Sequence, residues 1–177
     1  PGPRDSWQKV VADTMVSTVL VQTFSEDRLV RTGTGVVVSS DGLIITTSDI
    51  VSGQVYQIVA DDKIFKAKLL TRQAAAGLAL LKIDADGLTV TNLNAAENLQ
   101  SGKTVILAGK LLSISTPTVF SQLALVSYST TSEVVLDTAL NYFISGAKVI
   151  SADGTVAGIS AIRSGRVVLI PAGTLET

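Results

Sequence analysis

The side chains in this chain that could carry out chemistry are few, because histidine and cysteine are both absent. This absence excludes imidazole general bases, thiolate nucleophiles, disulfides, and metal sites built on imidazole or thiolate ligands. The D-x-D-x-D-G pattern of a calcium loop does not occur either. The sequence therefore predicts no metal and no cofactor. Serine hydroxyls, carboxylates and lysine amines remain as the groups to consider.

One serine has a lysine at a spacing known from catalysis. Ser145 and Lys148 fit the S-x-x-K pattern of penicillin-binding enzymes, in which both side chains share one helical face. Here the segment is a turn that enters a strand, and side chains at i and i+3 of a strand lie on opposite faces. The spacing therefore favours an exposed Lys148 on a strand over a serine–lysine dyad.

A second candidate is a pair of carboxylates, Asp49 and Asp137. Two carboxylates can share the acid and base roles, as they do in glycosidases and aspartic proteases. Nothing in the sequence directs these two side chains towards each other. We interpret them as unrelated surface or capping aspartates.

Composition sets the broad class of protein. Of the 177 residues, 46% are apolar and only 16% are charged, which provides enough apolar surface for a packed core and excludes a disordered chain. The length suits a single domain. The net charge of −1 gives no basic surface of the kind that binds nucleic acid. No apolar run approaches the roughly 20 residues of a membrane-spanning helix.

Strands dominate the predicted secondary structure. Val, Ile and Thr make up 54 of the 177 residues, and these β-branched side chains fit a pleated, half-buried surface. Short apolar runs are joined by Asp41-Gly42 and again by Asp153-Gly154, and Asp-Gly between apolar runs is a strong hairpin signal. The pattern predicts about a dozen short strands in an all-β sandwich or barrel.

One short helix is predicted near the N-terminus. Ser6 is placed to cap it, and Trp7, Val10, Val11 and Thr14 follow at helical spacing. We interpret Trp7 as the side chain that anchors this helix to the rest of the domain.

Five collinear segments resemble the trypsin-like protease domain of the bacterial HtrA/Deg family. The first contains the hairpin G-x-G-V-V-V-x-x-D-G-x-I-I-T. The others correspond in order to a family strand, the family segment L-x-x-G-x-x-V-x-A-I-G, the serine loop and the strand that follows this loop. These segments are residues 32–47, 78–83, 98–109, 137–148 and 154–159. The resemblance implies an all-β fold of two six-stranded antiparallel β-barrels with a cleft between them. It implies a single domain over residues 1–177, with barrels at about 16–90 and 100–171 and no PDZ domain in this chain.

The resemblance also assigns the catalytic triad, and two of its three positions have changed. In the family a serine attacks the peptide carbonyl, a histidine removes its proton and an aspartate orients the histidine. The serine position is Ser145, the histidine position is Asp49 and the aspartate position is Gly77. A carboxylate is a far weaker base than an imidazole, and glycine has no side chain to orient a base. We therefore expect a pseudoprotease, since loss of triad members typically lowers the rate by about 10⁴-fold or more.

The loop that forms the oxyanion hole departs from the family pattern as well. Phe143 and Ile144 stand where the family has Gly and Asn, whereas Gly146 is retained. Glycine allows the strained backbone that aims an N–H group at the oxyanion, and phenylalanine disfavours it. We expect Phe143 and Ile144 to add bulk at the mouth of the cleft. Loss of one oxyanion donor raises the barrier by about 2.7–4 kcal/mol.

The cleft of a trypsin-like domain binds its substrate as an added β-strand, and this ability does not need the triad. The resemblance places the pairing strand at Ser160, Ala161, Ile162 and Arg163. The expected function is that of a protein- or peptide-binding or scaffolding domain without catalysis. The alternative is a serine endopeptidase with non-standard catalysis through Ser145.

Relatives suggest a location and partners. HtrA proteins work in the bacterial periplasm or at its membrane, so the resemblance implies a periplasmic or extracytoplasmic, membrane-associated protein with any tether outside this sequence. It also implies self-association through the N-terminal helix, because relatives form trimers through N-terminal elements. A protein or peptide is the expected partner, and nucleic acid is not.

Overall fold

The computed structural model describes residues 3–93 and 99–175. The first half contains α1 (Pro3–Met15), β1 (Thr18–Ser25), β2 (Arg28–Val37), β3 (Leu43–Thr47), β4 (Val55–Ala60), β5 (Lys63–Gln73) and β6 (Leu78–Ile83). The second half contains β7 (Thr104–Ser113), β8 (Thr116–Ser129), β9 (Val134–Asp137), β10 (Lys148–Ser151), β11 (Val156–Arg163), β12 (Arg166–Pro171) and α2 (Ala172–Leu175).

The strands close into two antiparallel β-barrels of six strands each, which confirms the predicted fold class. Around the N-terminal barrel the order is β1-β2-β3-β6-β5-β4, and around the C-terminal barrel it is β10-β11-β12-β9-β8-β7. Read from β7, the second barrel repeats the strand order of the first. The two halves therefore share one topology.

Both Asp-Gly pairs form the tight turns that the sequence predicts. Gly42, between β2 and β3, has a φ of +106°, and Gly154, between β10 and β11, has a φ of +88°. A Cβ on Gly42 would lie 2.3 Å from the carbonyl oxygen of Ile83, so this turn is pressed against the end of β6. Glycine is required there both for the backbone conformation and for the close approach.

A shared apolar layer holds the barrels together and fixes the cleft between them. Val36 and Leu78 of the first barrel pack in one buried cluster with Ile159, Val168 and Ile170 of the second. Burial of one such side chain stabilises the fold by about 1.5–3 kcal/mol relative to exposure. The walls of the cleft are therefore parts of one packed core.

The N-terminal helix begins at Pro3, earlier than predicted, because proline suits the first turn of a helix. Ser6, which the sequence places at the cap, therefore lies within α1, and its side chain is not part of the described structure. The apolar side of α1 covers the outer face of the C-terminal barrel and confirms Trp7 as a packing residue. The contacting residues are Trp7, Val10, Val11 and Met15 on the helix and Ile106, Ala108, Ile150 and Val156 on the barrel. No helix in the described ranges is long and apolar enough to cross a membrane.

Lys148 is the largest departure from the sequence-based expectation. The prediction of an exposed lysine is wrong, because its side chain is fully buried beneath the end of α1. The Nζ group donates to the Thr14 carbonyl oxygen and to the Ser17 hydroxyl, at 2.6 Å each. Thr14 is in the last turn of α1, where carbonyl groups carry partial negative charge. The amine thus ties the helix to β10 and is engaged away from Ser145.

Burial has a strong effect on the charge of this lysine. Desolvation, with a smaller contribution from the positive charge of Lys110, lowers the pKa of Lys148 from 10.5 to about 7. In the unfolded chain a lysine has a pKa of about 10.4. Between these pH values the unfolded state binds more protons than the folded state, so the free energy of unfolding rises with pH. This stabilisation is fully present above the unfolded pKa and is lost as the pH falls towards about 7.

The Lys148→Met variant is expected to lose this pH dependence, because methionine fills similar space and binds no proton. From pH 7 to pH 9 the free energy of unfolding of the wild type should rise more steeply than that of the variant, by up to about 1.4 kcal/mol per pH unit. Urea denaturation at several pH values measures the difference.

The matched control is Lys63→Met, which removes an exposed lysine at the turn between β4 and β5. This variant should keep the wild-type slope. Equal slopes for wild type and Lys148→Met would show that Lys148 is not buried with a lowered pKa.

Candidate functional site

The cleft is formed where the loop before β10 meets the first barrel at Thr34. Thr34 is fully buried; its N–H donates to the Ser145 carbonyl oxygen at 3.4 Å, and its hydroxyl exchanges hydrogen bonds with the backbone of Lys110. Gly146 lies against the same residue with a φ of +82°, and a Cβ there would lie 2.2 Å from the Thr34 carbonyl oxygen. The serine loop is therefore pinned to the opposite barrel.

The structure brings the serine and histidine positions together. The Ser145 hydroxyl donates to the Asp49 Oδ2 atom at 3.3 Å. Ser145 is only 2% exposed, whereas Asp49 is exposed in the turn that follows β3. The group facing the serine is thus a carboxylate held on a solvent-exposed turn.

The third triad position is occupied by an arginine from the other barrel. Gly77 has a φ of +74°, and its carbonyl oxygen accepts a hydrogen bond from the Ser48 N–H at 2.9 Å. A Cβ on Gly77 would lie 3.1 Å from Nη2 of Arg163, which donates to the Ala76 carbonyl oxygen at 2.7 Å. The sequence could not reveal this role of Arg163, because the contact joins β11 to the turn before β6.

The oxyanion loop has a backbone conformation that phenylalanine accepts. Phe143 is not among the described non-glycine residues with positive φ, so the strained geometry that glycine would allow is not adopted. Its ring is half-buried and packs edge-on against Phe120, with centroids 4.7 Å apart, and against Tyr142 at 5.2 Å. The Ile144 N–H donates to the Asn141 carbonyl oxygen at 3.2 Å, which closes a turn through Phe143.

Two expectations about this loop need correction. Ile144 does not add bulk at the mouth of the cleft, because it is fully buried in the core of the C-terminal barrel, and Phe143 packs against that same core. The bulky side chain at the mouth is instead Tyr142, which is 76% exposed. The alternation of a strand does not apply to this turn, so no periodicity indicates which of the three side chains faces out.

The predicted binding strand is only partly available. The side chains of Ser160 and Ala161 are buried, so neither side chain is accessible to a ligand in this structure. The backbone of Ser160 is also engaged: its N–H donates to the Ala147 carbonyl oxygen and its own carbonyl accepts from Gly146, at 2.8 Å each. Ala161 packs in the layer between the barrels.

Ile162 and Arg163 remain exposed, and Ile162 offers an open backbone edge. Polar groups of an antiparallel strand point alternately to its two sides. Those of Ser160 face the serine loop, so those of Ile162 face the same way, away from β12. Among the described residues, β10 pairs with β11 only as far as Ile159 and Ile162 has no backbone partner on this side.

A groove of about 260 Å³ continues the cleft on the far side of Asp49. It is bordered by Leu29, Val30, Arg31, Thr32, Asp49, Ile50 and Tyr142. Asp137, the last residue of β9, lines a different groove, and Arg166 lines that groove as well. The two aspartates therefore do not share a groove, and nothing in the structure favours a carboxylate pair.

A larger cavity, of about 480 Å³, lies between the first barrel and α2. Its lining includes Val38, Leu80, Leu93 and Leu175 and none of the triad positions. The described residues contain no group of three or more acidic side chains that could hold a metal ion.

Comparison with known proteins agrees with this architecture. The family described as "Trypsin-like peptidase domain" matches residues 33–159. A probable periplasmic serine endoprotease, DegP-like, from Hahella chejuensis is 29% identical over 136 residues, covering 73% of this chain and 29% of that protein. Serine protease HTRA1 from Xenopus laevis is 29% identical over 153 residues, covering 79% of this chain and 33% of that protein. This chain thus spans about a third of the length of these relatives.

A solved structure shows the same fold. The serine endoprotease from Yersinia pestis superposes with a TM-score of 0.81 at 21% identity, covering 96% of this chain and 64% of that one. The double barrel and the serine loop in the cleft are the architecture expected of the family that matches residues 33–159. The chain belongs to the trypsin-like peptidase domain family, and its relatives there include HtrA and DegP-like serine proteases.

Proposed function

We propose that this domain binds extended peptide segments in the cleft between its barrels and does not hydrolyse them. The observation that carries the proposal is the surroundings of Ser145. Its hydroxyl faces the carboxylate of Asp49, and the position that would orient a base is Gly77, with the Arg163 guanidinium beside it. A pseudoprotease fits this arrangement better than an enzyme.

Acyl transfer by a serine needs a base that takes its proton and a group that orients the base. A carboxylate is a much weaker base than the imidazole it replaces. The turn closed by Asn141 and Ile144 also gives Phe143 a backbone conformation outside the positive φ region. The base and the group that orients it act as a unit, so their losses overlap, whereas the change in the oxyanion loop acts on a separate part of the machinery.

Peptide binding depends on other features, and these are present. The open backbone edge at Ile162 can accept an added strand, since main-chain hydrogen bonds give the affinity in this mode of recognition. Asp49 and Tyr142 border the groove that continues beyond Ser145. The relatives named as periplasmic endoproteases support an extracytoplasmic location for this binding.

The scaffold alternative, with self-association through α1, has less support. The apolar residues of the helix, Trp7 and Met15 among them, pack against the protein's own C-terminal barrel. The endopeptidase alternative has one observation in its favour, which is the hydrogen bond from Ser145 to Asp49.

A fluorophosphonate probe separates the binding and endopeptidase functions. We expect no more labelling of the wild type than of Ser145→Ala, because no strong base activates the hydroxyl. Labelling is read by in-gel fluorescence, with trypsin as the positive control. Labelling of folded wild type that disappears in Ser145→Ala would show an activated serine, would contradict the absence of catalysis and would favour the endopeptidase.

Binding at the β11 edge is tested with Ile162→Pro and its control, Ile162→Val. Proline removes the N–H group that faces the cleft and leaves the ladder to β12 intact, whereas valine keeps the donor. A displayed library of random linear peptides, panned against all three proteins, should give sequences that bind wild type and Ile162→Val and are lost on Ile162→Pro.

Thermal unfolding should show that both variants are folded. Peptides that bind Ile162→Pro as well as the wild type would contradict binding at this edge. Absence of enrichment on the folded wild type would contradict the proposed function itself.

A further inference from the structure

Two guanidinium groups lie beside the triad positions. Arg163 reaches across the cleft to Gly77, where it donates to the Ala76 carbonyl oxygen at 2.7 Å. The Arg72 Nε group donates to the Ser48 carbonyl oxygen at 3.1 Å. Because the Ser48 N–H is bonded to the Gly77 carbonyl oxygen at 2.9 Å, both guanidinium groups flank one backbone junction.

Neither cleft arginine has an acidic partner among the described residues. The ion pairs among the described residues join Lys9 to Asp13 and Arg166 to Glu133, and neither includes Arg72 or Arg163. Arg72 and Arg163 are exposed, and each bonds a single backbone carbonyl group, so their other N–H groups face solvent. A guanidinium with free N–H groups matches the geometry of a carboxylate.

The acidic side chain in this part of the cleft is already engaged. Asp49 accepts the Ser145 hydroxyl and shares its groove with Arg31. Three arginines, Arg31, Arg72 and Arg163, therefore stand against one aspartate, Asp49, around the cleft, which leaves an excess of positive charge. The whole chain has a net charge of −1, which makes this positive region a local feature.

The open edge of β11 sets the direction in which a bound strand presents its side chains. Directly opposite residues of paired strands lie on the same face, and neighbours along a strand alternate. A peptide residue opposite Ile162 therefore lies beside its half-exposed apolar side chain. The residues on either side of it lie on the face from which Arg163 extends towards Gly77.

These observations specify the partner of the proposed binding site, and the inference rests on that proposed function. We infer that the cleft recognises acidic extended peptides, in which Asp or Glu alternates with apolar residues. The apolar residue packs on Ile162, and the flanking carboxylates bind Arg163 and Arg72. The occupant is a protein segment that adds a strand to β11.

Three synthetic peptides of one length test this inference: alternating Glu and Val, alternating Gln and Val, and alternating Lys and Val. Fluorescence anisotropy with the wild type should show the Glu peptide binding roughly tenfold more tightly than the Gln peptide, and the Lys peptide most weakly. Added salt should reduce the difference, because exposed charges are screened.

Substitution of the arginines locates the effect. Arg72→Gln and Arg163→Gln should each weaken binding of the Glu peptide by roughly two- to fivefold and leave binding of the Gln peptide unchanged. The matched control is Arg166→Gln, which removes the same charge from the same hairpin at a guanidinium already paired with Glu133. The control should bind all three peptides as the wild type does.

The possible results separate this inference from the proposed function. Equal binding of the Glu and Gln peptides, lost in both cases on Ile162→Pro, would overturn the acidic preference and leave peptide binding at β11 intact. An equal loss on Arg166→Gln and on the cleft variants would overturn the assignment to the cleft. Failure of every peptide, with no enrichment from the displayed library, would overturn both.

Discussion

The close approach of Gly146 to Thr34 is the constraint on which the rest of the cleft depends. A Cβ at Gly146 would lie 2.2 Å from the Thr34 carbonyl oxygen, which also accepts the Thr46 hydroxyl at 2.9 Å. Only glycine allows both this approach and the φ of +82°. Because Ser160 is bonded to the same loop, this one contact fixes the serine loop, the open edge of β11 and the spacing of the barrels.

This constraint separates the cleft positions that the fold needs from those that it does not. Gly146 and Ser145 lie in the packed junction of the barrels, where a larger side chain would force the barrels apart. Asp49 and Gly77 lie in turns at the edge of the cleft, where the backbone is held by its own hydrogen bonds. Their side chains can change without loss of core contacts. The fold therefore depends on the serine loop and not on the side chains at residues 49 and 77.

The sequence predicted what depends on local patterns. The Asp-Gly turns, the short apolar runs and the helical spacing from Trp7 predicted an all-β sandwich or barrel with one short helix. The two six-stranded barrels were implied by the resemblance to a known family. The misplaced residues were those whose burial depends on distant parts of the chain. Lys148 is buried by a contact with Thr14, 134 residues earlier, and Ala161 by the opposite barrel. Ile144 lies in a turn, where no periodicity indicates which side chain points inward.

The contact between Arg163 and Gly77 would make the proposed loss of the triad difficult to reverse one residue at a time. An aspartate at residue 77 would place its Cβ 3.1 Å from the Arg163 guanidinium and would pair with it. That carboxylate would then be unavailable to orient a base at residue 49, whatever side chain stood there. Removal of Arg163 alone would leave a space beside Gly77 and free the Ala76 carbonyl group. The two residues thus depend on each other, because the absence of a side chain at Gly77 leaves room for Arg163, and Arg163 fills that room.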